Sequence, residues 1–122
     1  MTSEELAKLC AAYAADKQAE NVVALDLRGI STFTEFFVIC SGASEPQLKA
    51  IASGIADGLR EDHGVTPNAM DGVPLSQWVV LDYGSVVVQI FHQTKRDLYL
   101  LEDLWSDAPR LDLNALDTPK HA

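Results

Sequence analysis

The sequence predicts a mixed α/β domain in which helices pack mainly on one face of a β-sheet. Apolar residues recur at helical spacing near the N-terminus and again in the middle of the chain. Runs rich in valine and aromatic residues lie between and after these segments, as strands require. The resulting order is helix, strand, strand, helix, strand, strand, helix. This order is typical of a sheet with a helical layer against it.

The first helix is predicted to begin at Thr2 or Ser3, because Thr2 and Glu5 match a capping box. Two strands follow, over Asn21–Leu27 and Phe33–Cys40. The continuous apolar end of the second strand indicates burial on both of its faces.

The second helix has the clearest pattern in the chain, with Ser44 as N-cap, Gln47 completing a capping box and Gly64 after the last turn. A loop over Thr66–Ser76, with a short extended piece, leads to an antiparallel hairpin. The remaining predicted elements are the hairpin Trp78–His92 and a third helix over Lys95–Trp105.

Chain length and charge limit the kinds of function. The 122 residues are enough for one core, so we predict a single domain over 1–111 and a C-terminal tail over 112–122. The net charge is −9, and the densest basic group is the pair Lys95-Arg96. Proteins that grip nucleic acid cluster their basic residues, so we expect little direct contact with nucleic acid. An acidic chain is instead suited to docking on a basic protein.

The sequence also predicts a cytoplasmic protein. It has no apolar run of about 18 residues, so no membrane span is expected. The early glutamates and the lack of a leading basic region argue against a secretory signal. Cys10 and Cys40 have no CxxC spacing, which favours two reduced thiols over a disulfide or a metal site.

The loop Ser41-Gly42-Ala43-Ser44 (SGAS) is one candidate for chemistry. A glycine-serine turn before a helix can hold a phosphate, which would suit a minimal nucleotidyltransferase. That chemistry needs carboxylates for metal ions, and only Glu45 and Asp57 follow, with no Asp-x-Asp pair. We therefore favour helix capping for this loop.

The hairpin offers Asp82, Tyr83, Ser85 and His92, the types of side chain that hydrolases use. Ser85 lies at a hairpin turn and His92 at the end of the returning strand, so turn chemistry explains the group better than catalysis. The histidines also lack metal-ligand spacing. We expect no enzyme activity, no metal and no cofactor.

Both faces of the hairpin are largely apolar, and one face carries Trp78, Val80, Val87 and Phe91. If helices cover only the other face, these residues form an exposed patch of the kind that binds proteins or a second copy. Burial of both faces inside the monomer is the alternative. Periodicity leaves both interpretations open.

Six stretches together carry a resemblance to a known family over roughly Leu6–Leu111. They are Ala24–Gly29 (ALDLRG), Thr34–Cys40 (TEFFVIC), SGAS, Gln77–Gly84 (QWVVLDYG), Val86–His92 (VVVQIFH) and Arg96–Pro109 (RDLYLLEDLWSDAP). In this order they resemble the ribosome silencing factors of the Iojap type. The resemblance implies a nucleotidyltransferase-like fold without the catalytic carboxylates. Two positions depart from the family, since Gln89 stands where members commonly have histidine and Ser85 where they commonly have aspartate.

The resemblance also implies a function. Such factors bind the large ribosomal subunit through its ribosomal protein number fourteen, block subunit joining and lower translation when nutrients are scarce; members also form homodimers. Carried onto this chain, the family's binding surface uses Trp78, Asp82, Tyr83, His92, Arg96 and Tyr99. We add Val80 of the apolar hairpin face and Gln89, which can hydrogen-bond across an interface, to the predicted partner-binding residues. We expect Trp78 and Tyr83 to be offered to the partner as its main contacts.

Overall fold

The computed structural model describes residues 1–72, 78–94, 108–111 and 113. Its five strands form one mixed sheet in the order β1-β2-β5-β4-β3, with two helices. The elements are α1 (Ser3–Asp16), β1 (Glu20–Asp26), β2 (Phe36–Gly42), α2 (Glu45–His63), β3 (Ala69–Asp71), β4 (Trp78–Asp82) and β5 (Val86–His92). The predicted mixed α/β class is confirmed.

The central pair of strands is parallel, and the remaining pairs are antiparallel. β2 pairs with β5 in parallel over seven residues, from Phe36 opposite Val86 to Gly42 opposite His92. The chain between these strands contains α2, which provides the long crossover that parallel pairing needs. β4 and β5 form the predicted antiparallel hairpin.

Both helices begin where the sequence predicts. The Thr2 hydroxyl accepts a hydrogen bond from the Glu5 amide at 3.1 Å, and the Ser44 hydroxyl accepts one from the Gln47 amide at 3.2 Å. These bonds satisfy amides that the first helical turn leaves free. Gly64 ends α2 in the left-handed conformation, with φ of 67°.

The second strand differs from its predicted bounds. It begins at Phe36, not Phe33, and it continues through Ser41 and Gly42, which the sequence placed in a loop. Pairing with Phe91 and His92 of β5 extends the strand at this end. All seven residues of β2 are buried, which confirms the prediction of burial on both faces. The predicted helix over Lys95–Trp105 lies outside the described residues.

One face of the sheet packs against both helices, and we call it the helical face. Alternate residues of the central strands point into this core with the inner sides of α1 and α2. The sheet residues of this core include Phe36, Val38, Cys40, Leu81, Val86, Val88 and Ile90.

The two cysteines are free and buried, and burial raises the pKa of the Cys10 thiol. Among the described residues, no helix is long and apolar enough to cross a bilayer.

The segment after residue 107 pairs with the outer edge of β1. The Asp26 amide donates to the Pro109 carbonyl at 2.7 Å, and the Leu111 amide donates to the Ala24 carbonyl at 2.9 Å. Leu111 and Leu113 also pack against the helical-face core. The C-terminal end of the predicted domain is therefore tied to the sheet. Leu113 belongs to the predicted tail over 112–122 and nevertheless contacts the core, while residues 112 and 114–122 lie outside the described residues.

The two helices pack closely because α2 carries glycines where α1 crosses it. A methyl group at Gly58 would lie 2.6 Å from Cδ1 of the buried Tyr13 ring. The Tyr13 hydroxyl is held by a 2.6 Å hydrogen bond to Asp62, so the ring is fixed at both ends. A methyl at Gly54 would instead meet the stem of Lys17, which can move aside.

This difference predicts opposite outcomes for two matched substitutions. Gly58→Ala should lower the free energy of unfolding by about 1–3 kcal/mol, because the added methyl overpacks against a fixed ring. Gly54→Ala should leave stability unchanged or raise it by up to about 1 kcal/mol, since alanine favours the helix. Urea denaturation of both variants measures this, and equal stability losses at the two positions would contradict the packing account.

Candidate protein-interaction surface

The sheet face turned away from α1 and α2, which we call the distal face, carries three rows of side chains. Strand alternation and register place each row across three neighbouring strands. From β2 through β5 to β4, the rows are Phe37–Val87–Asp82, Ile39–Gln89–Val80 and Ser41–Phe91–Trp78. Four of the predicted partner-binding residues therefore share one face: Trp78, Val80, Asp82 and Gln89.

Exposure on the distal face increases toward β4. Phe37, Ile39 and Phe91 are buried, and they form a second core with Leu25, Leu27 and Ala108. Trp78, Val80, Asp82 and Val87 are only partly buried. We call these four residues the β4 strip, although Val87 lies on the neighbouring strand β5. Neither of the alternatives left open by the sequence holds for the whole face, because its centre is buried and its β4 side is accessible.

Trp78 is positioned by an aromatic stack. Its ring lies over Phe91 with centroids 5.6 Å apart and planes inclined by 13°. Such offset pairs add to the energy of simple burial. The indole is consequently fixed on the sheet while part of its surface stays accessible, which is the arrangement that a binding anchor needs.

Tyr83 lies on the other side of the sheet, and its exposure was predicted wrongly. The ring belongs to the helical-face core and only 8% of the residue is exposed. Tyr83 comes two residues after Leu81, so strand alternation places both side chains on the helical face, and the Tyr83 amide donates to the Val86 carbonyl at 2.8 Å. Its hydroxyl is buried without a hydrogen-bond partner among the described residues. Burial, and then the neighbouring Cys10, raise the pKa of this phenol.

Asp82 has a structural role that the sequence predicted. Its carboxylate accepts a hydrogen bond from the Gly84 amide at 2.7 Å, and its carbonyl accepts one from the Asn68 amide at 2.7 Å. Gly84 has φ of 83°, which suits glycine. The first bond fixes the hairpin turn and the second ties it to the chain before β3, so the β4 strip has a rigid end.

Gln89 sits in the middle of the distal face with 6% of the residue exposed. Its two sheet neighbours in the same row, Ile39 and Val80, are both apolar. This burial makes Gln89 a residue beneath the surface more than a point of contact. The prediction that Gln89 takes part in binding stays a prediction.

His92 ends β5. It comes two residues after Ile90, so strand alternation places it on the same, helical, side of the sheet. The Thr94 amide donates to its Nδ1 at 3.2 Å, and the Thr94 hydroxyl lies 2.8 Å from the same nitrogen. Since an amide can only donate, Nδ1 must be the acceptor and the neutral ring must carry its proton on Nε2. Arg96 and Tyr99 lie outside the described residues, so their predicted roles stay predictions.

A side chain of α2 engages the Ala43 amide of the SGAS loop. The Ala43 amide donates to Oε1 of Gln47 at 2.6 Å, and Nε2 of the same side chain donates to the Gln18 carbonyl at 3.1 Å. Together with the Ser44 cap, these bonds occupy groups that would otherwise face a phosphate. The capping interpretation of this loop is confirmed.

The hairpin does not bring Ser85 and His92 together as a hydrolase would need. Ser85 and His92 lie at opposite ends of β5, and seven residues of extended chain separate them by roughly 20 Å. The Ser85 carbonyl accepts from the amides of Glu35 and Phe36 at 3.0 Å, so this residue serves the sheet. Within the described ranges, no three His, Cys, Asp or Glu side chains gather in a way that would hold a metal ion.

The fold and this surface define a small α/β protein with a rigid, partly exposed apolar strip. A family model described as "Ribosomal silencing factor during starvation" matches residues 1–122. The chain belongs to this family of ribosomal silencing factors, which regulate translation in association with the ribosome.

Individual relatives agree with this assignment. A ribosomal silencing factor of Bacillus subtilis is 42% identical over 114 residues, covering 93% of this chain and 96% of the relative. The chloroplastic Iojap protein of Arabidopsis thaliana is 33% identical over 109 residues, or 89% of this chain and 43% of the relative. A crystal structure from Bacillus halodurans matches with a TM-score of 0.76 at 40% identity, over 90% of this chain and 99% of that one.

One exposed side chain near the distal face could not be predicted from the sequence. Phe33 was predicted to open the second strand, yet it lies in the loop before β2 with 64% of its surface exposed. Its aromatic character and its closeness to Phe36 and Phe37 favoured a strand. Phe33 is exposed because β2 begins three residues later than predicted, at Phe36.

The hydrogen bonds of His92 predict a definite tautomer. In protein labelled with ¹⁵N, long-range ¹H–¹⁵N spectra should show that the neutral ring of His92 has an unprotonated Nδ1 and a protonated Nε2. The exposed His63 provides a reference in the same spectrum. A protonated Nδ1 in the neutral ring would show that the Thr94 amide does not donate to it.

Proposed function

We propose that the protein binds the large ribosomal subunit and prevents the small subunit from joining it, which lowers translation under nutrient limitation. The partner on the large subunit is a basic ribosomal protein. The family resemblance implies that it is ribosomal protein number fourteen. Membership of the silencing-factor family supports the ribosomal role. The observation that carries the proposal is the β4 strip, a partly exposed apolar surface on a rigid hairpin.

The chemistry of the strip suits a protein partner. Trp78 supplies a large, fixed aromatic surface, and Trp is among the residues that dominate binding energies at interfaces. Val80 and Val87 extend the apolar area, and Asp82 adds a negative charge at its end. A basic protein with an apolar contact surface would complement all of these features.

The net charge supports docking on a protein instead of on rRNA. At −9, the chain would be repelled by a phosphate backbone but attracted to a basic ribosomal protein. Opposite charges mainly increase the rate of encounter, while the apolar strip would provide the lasting contact. We therefore propose little direct contact with nucleic acid.

The proposed mechanism is steric occlusion without chemical turnover. A protein of 13.3 kDa bound to the joining face of the large subunit would occupy space that the small subunit needs. The engaged Ala43 amide of the SGAS loop and the separation of Ser85 from His92 support a protein that is not an enzyme. We place this activity in the cytoplasm.

We also propose that the homodimer implied by the family resemblance uses the β4 strip. In that arrangement a second copy and the ribosomal protein would compete for the same apolar surface. Dilution of the protein would then favour the ribosome-bound monomer, because dimer formation depends on concentration.

Co-sedimentation with purified large subunits tests the proposal through Trp78. Trp78→Ala should weaken binding by about 2 kcal/mol or more, roughly 30-fold, because it removes the anchor. Trp78→Phe keeps an aromatic ring for the stack on Phe91 and should lose less. Met70→Ala is a matched control, since Met70 is exposed on β3 and its register partner Leu81 belongs to the helical face.

Thermal melts of the variants separate binding from folding. If Trp78→Ala is folded and pellets with the large subunit as strongly as wild type, the β4 strip is not the binding surface. If wild type itself does not pellet with the large subunit, the proposed function is wrong.

A further inference from the structure

The loop between β1 and β2 exposes two large apolar side chains. Ile30 is 47% exposed and Phe33 is 64% exposed. Single apolar residues on a surface are common, so exposure by itself indicates nothing. What distinguishes this loop is that it is rigid and that Phe33 adjoins the distal face.

Backbone hydrogen bonds hold the base of the loop closed. The Leu27 carbonyl accepts from the amides of Ile30 at 3.0 Å and Ser31 at 2.9 Å. The Leu27 amide donates to the Glu35 carbonyl at 2.8 Å, which joins the two ends. Gly29 supplies the left-handed residue of the turn, with φ of 80°.

Side chains brace the same loop from the helical side. The Arg28 guanidinium donates to both carboxylate oxygens of Asp26 at 2.7 and 3.0 Å, and it lies 5.0 Å over the Phe36 ring. This pairing lowers the pKa of Asp26, so the carboxylate stays charged. Ser3 of α1 hydrogen-bonds to Glu35, which ties the loop's end to the first helix.

Phe33 itself is held in its exposed position. Its amide donates to the Ser31 hydroxyl at 3.3 Å. Its ring packs against Phe37 with centroids 5.7 Å apart and planes inclined by 53°. Because one aromatic edge is fixed, little conformational entropy remains to be lost when a partner covers the rest of the ring.

The contact with Phe37 makes Phe33 continuous with the β4 strip. Phe37 begins the distal-face row that runs through Val87 to Asp82. An exposed ring at one end of this row and the β4 strip at the other therefore lie along one side of the protein. Phe37 itself is buried, and it contacts the exposed Phe33 on one side and lies opposite Val87 of the β4 strip on the other.

The charges around the loop select the class of partner. Glu4, Asp26 and Glu35 all act on Arg28, and Lys8 also pairs with Glu4, so three negative charges against two positive charges leave a balance of −1 among these groups. The chain as a whole carries −9. Two copies of this chain would bring such acids together, whereas a basic protein would be attracted to them.

We propose that the β1–β2 loop is a second contact point of the partner-binding surface, with Phe33 as an apolar anchor that enters a basic protein surface. The proposal rests on the proposed function, because the occupant is the same basic ribosomal protein that covers the β4 strip. The partner then spans the distal face from the loop to β4 and covers the exposed part of Val87 between them.

The affinity of large subunits for Phe33 variants tests this assignment. Phe33→Ala should weaken binding by at least about tenfold, because a fixed aromatic anchor is removed at the surface. Phe33→Leu keeps apolar volume and should recover part of the affinity. Met70→Ala, which removes a comparably exposed side chain from β3, should bind like wild type.

Melting temperature and self-association are measured on the same samples. If Phe33→Ala is folded and binds like wild type while Trp78→Ala is weakened, the second contact point is wrong and the proposed function stands. If wild type does not bind, the proposed function fails and the present inference fails with it. If Phe33→Ala changes only the dimer equilibrium, the occupant is a second copy and the assignment to a basic protein is overturned.

Discussion

The parallel pairing of β2 with β5 is the contact on which the rest of the structure depends. Its seven-residue register decides which side chains face the helices and which face away. Phe36, Val38 and Cys40 thereby enter the core with α1 and α2, while Phe37 and Ile39 support the distal face. A slip of one residue would exchange the two sets, because side chains alternate along a strand. The candidate binding surface exists only in this register.

The sequence predicted those features that depend on neighbouring residues. The caps at Thr2 and Ser44 were predictable because a hydroxyl reaches an amide three residues away. The turn at Asp82 was predictable because its carboxylate reaches the amide two residues away. The fold class followed from apolar periodicity. Features set by distant partners were predicted less well. Ser41 and Gly42 belong to β2 because β5 pairs with them.

The side of the sheet on which a residue lies was the hardest property to predict. Tyr83 looked like a contact residue because it stands beside Asp82 in a hairpin turn, yet it continues the alternation of Leu81 and lies in the core. Phe33 looked like a strand residue and is instead an exposed ring against Phe37. The position of Phe33 depends on where β2 begins, and backbone hydrogen bonds made outside the segment decide that boundary.

The central claim is that this protein silences ribosomes by occupying a surface, without chemical turnover. Light scattering during the mixing of purified subunits tests it most directly, with large subunits first incubated with increasing amounts of the protein up to saturation and no nucleoside triphosphate present. The account predicts that the amplitude of subunit joining falls in proportion to the fraction of large subunits occupied. Joining at the normal rate and amplitude on fully occupied large subunits would contradict it.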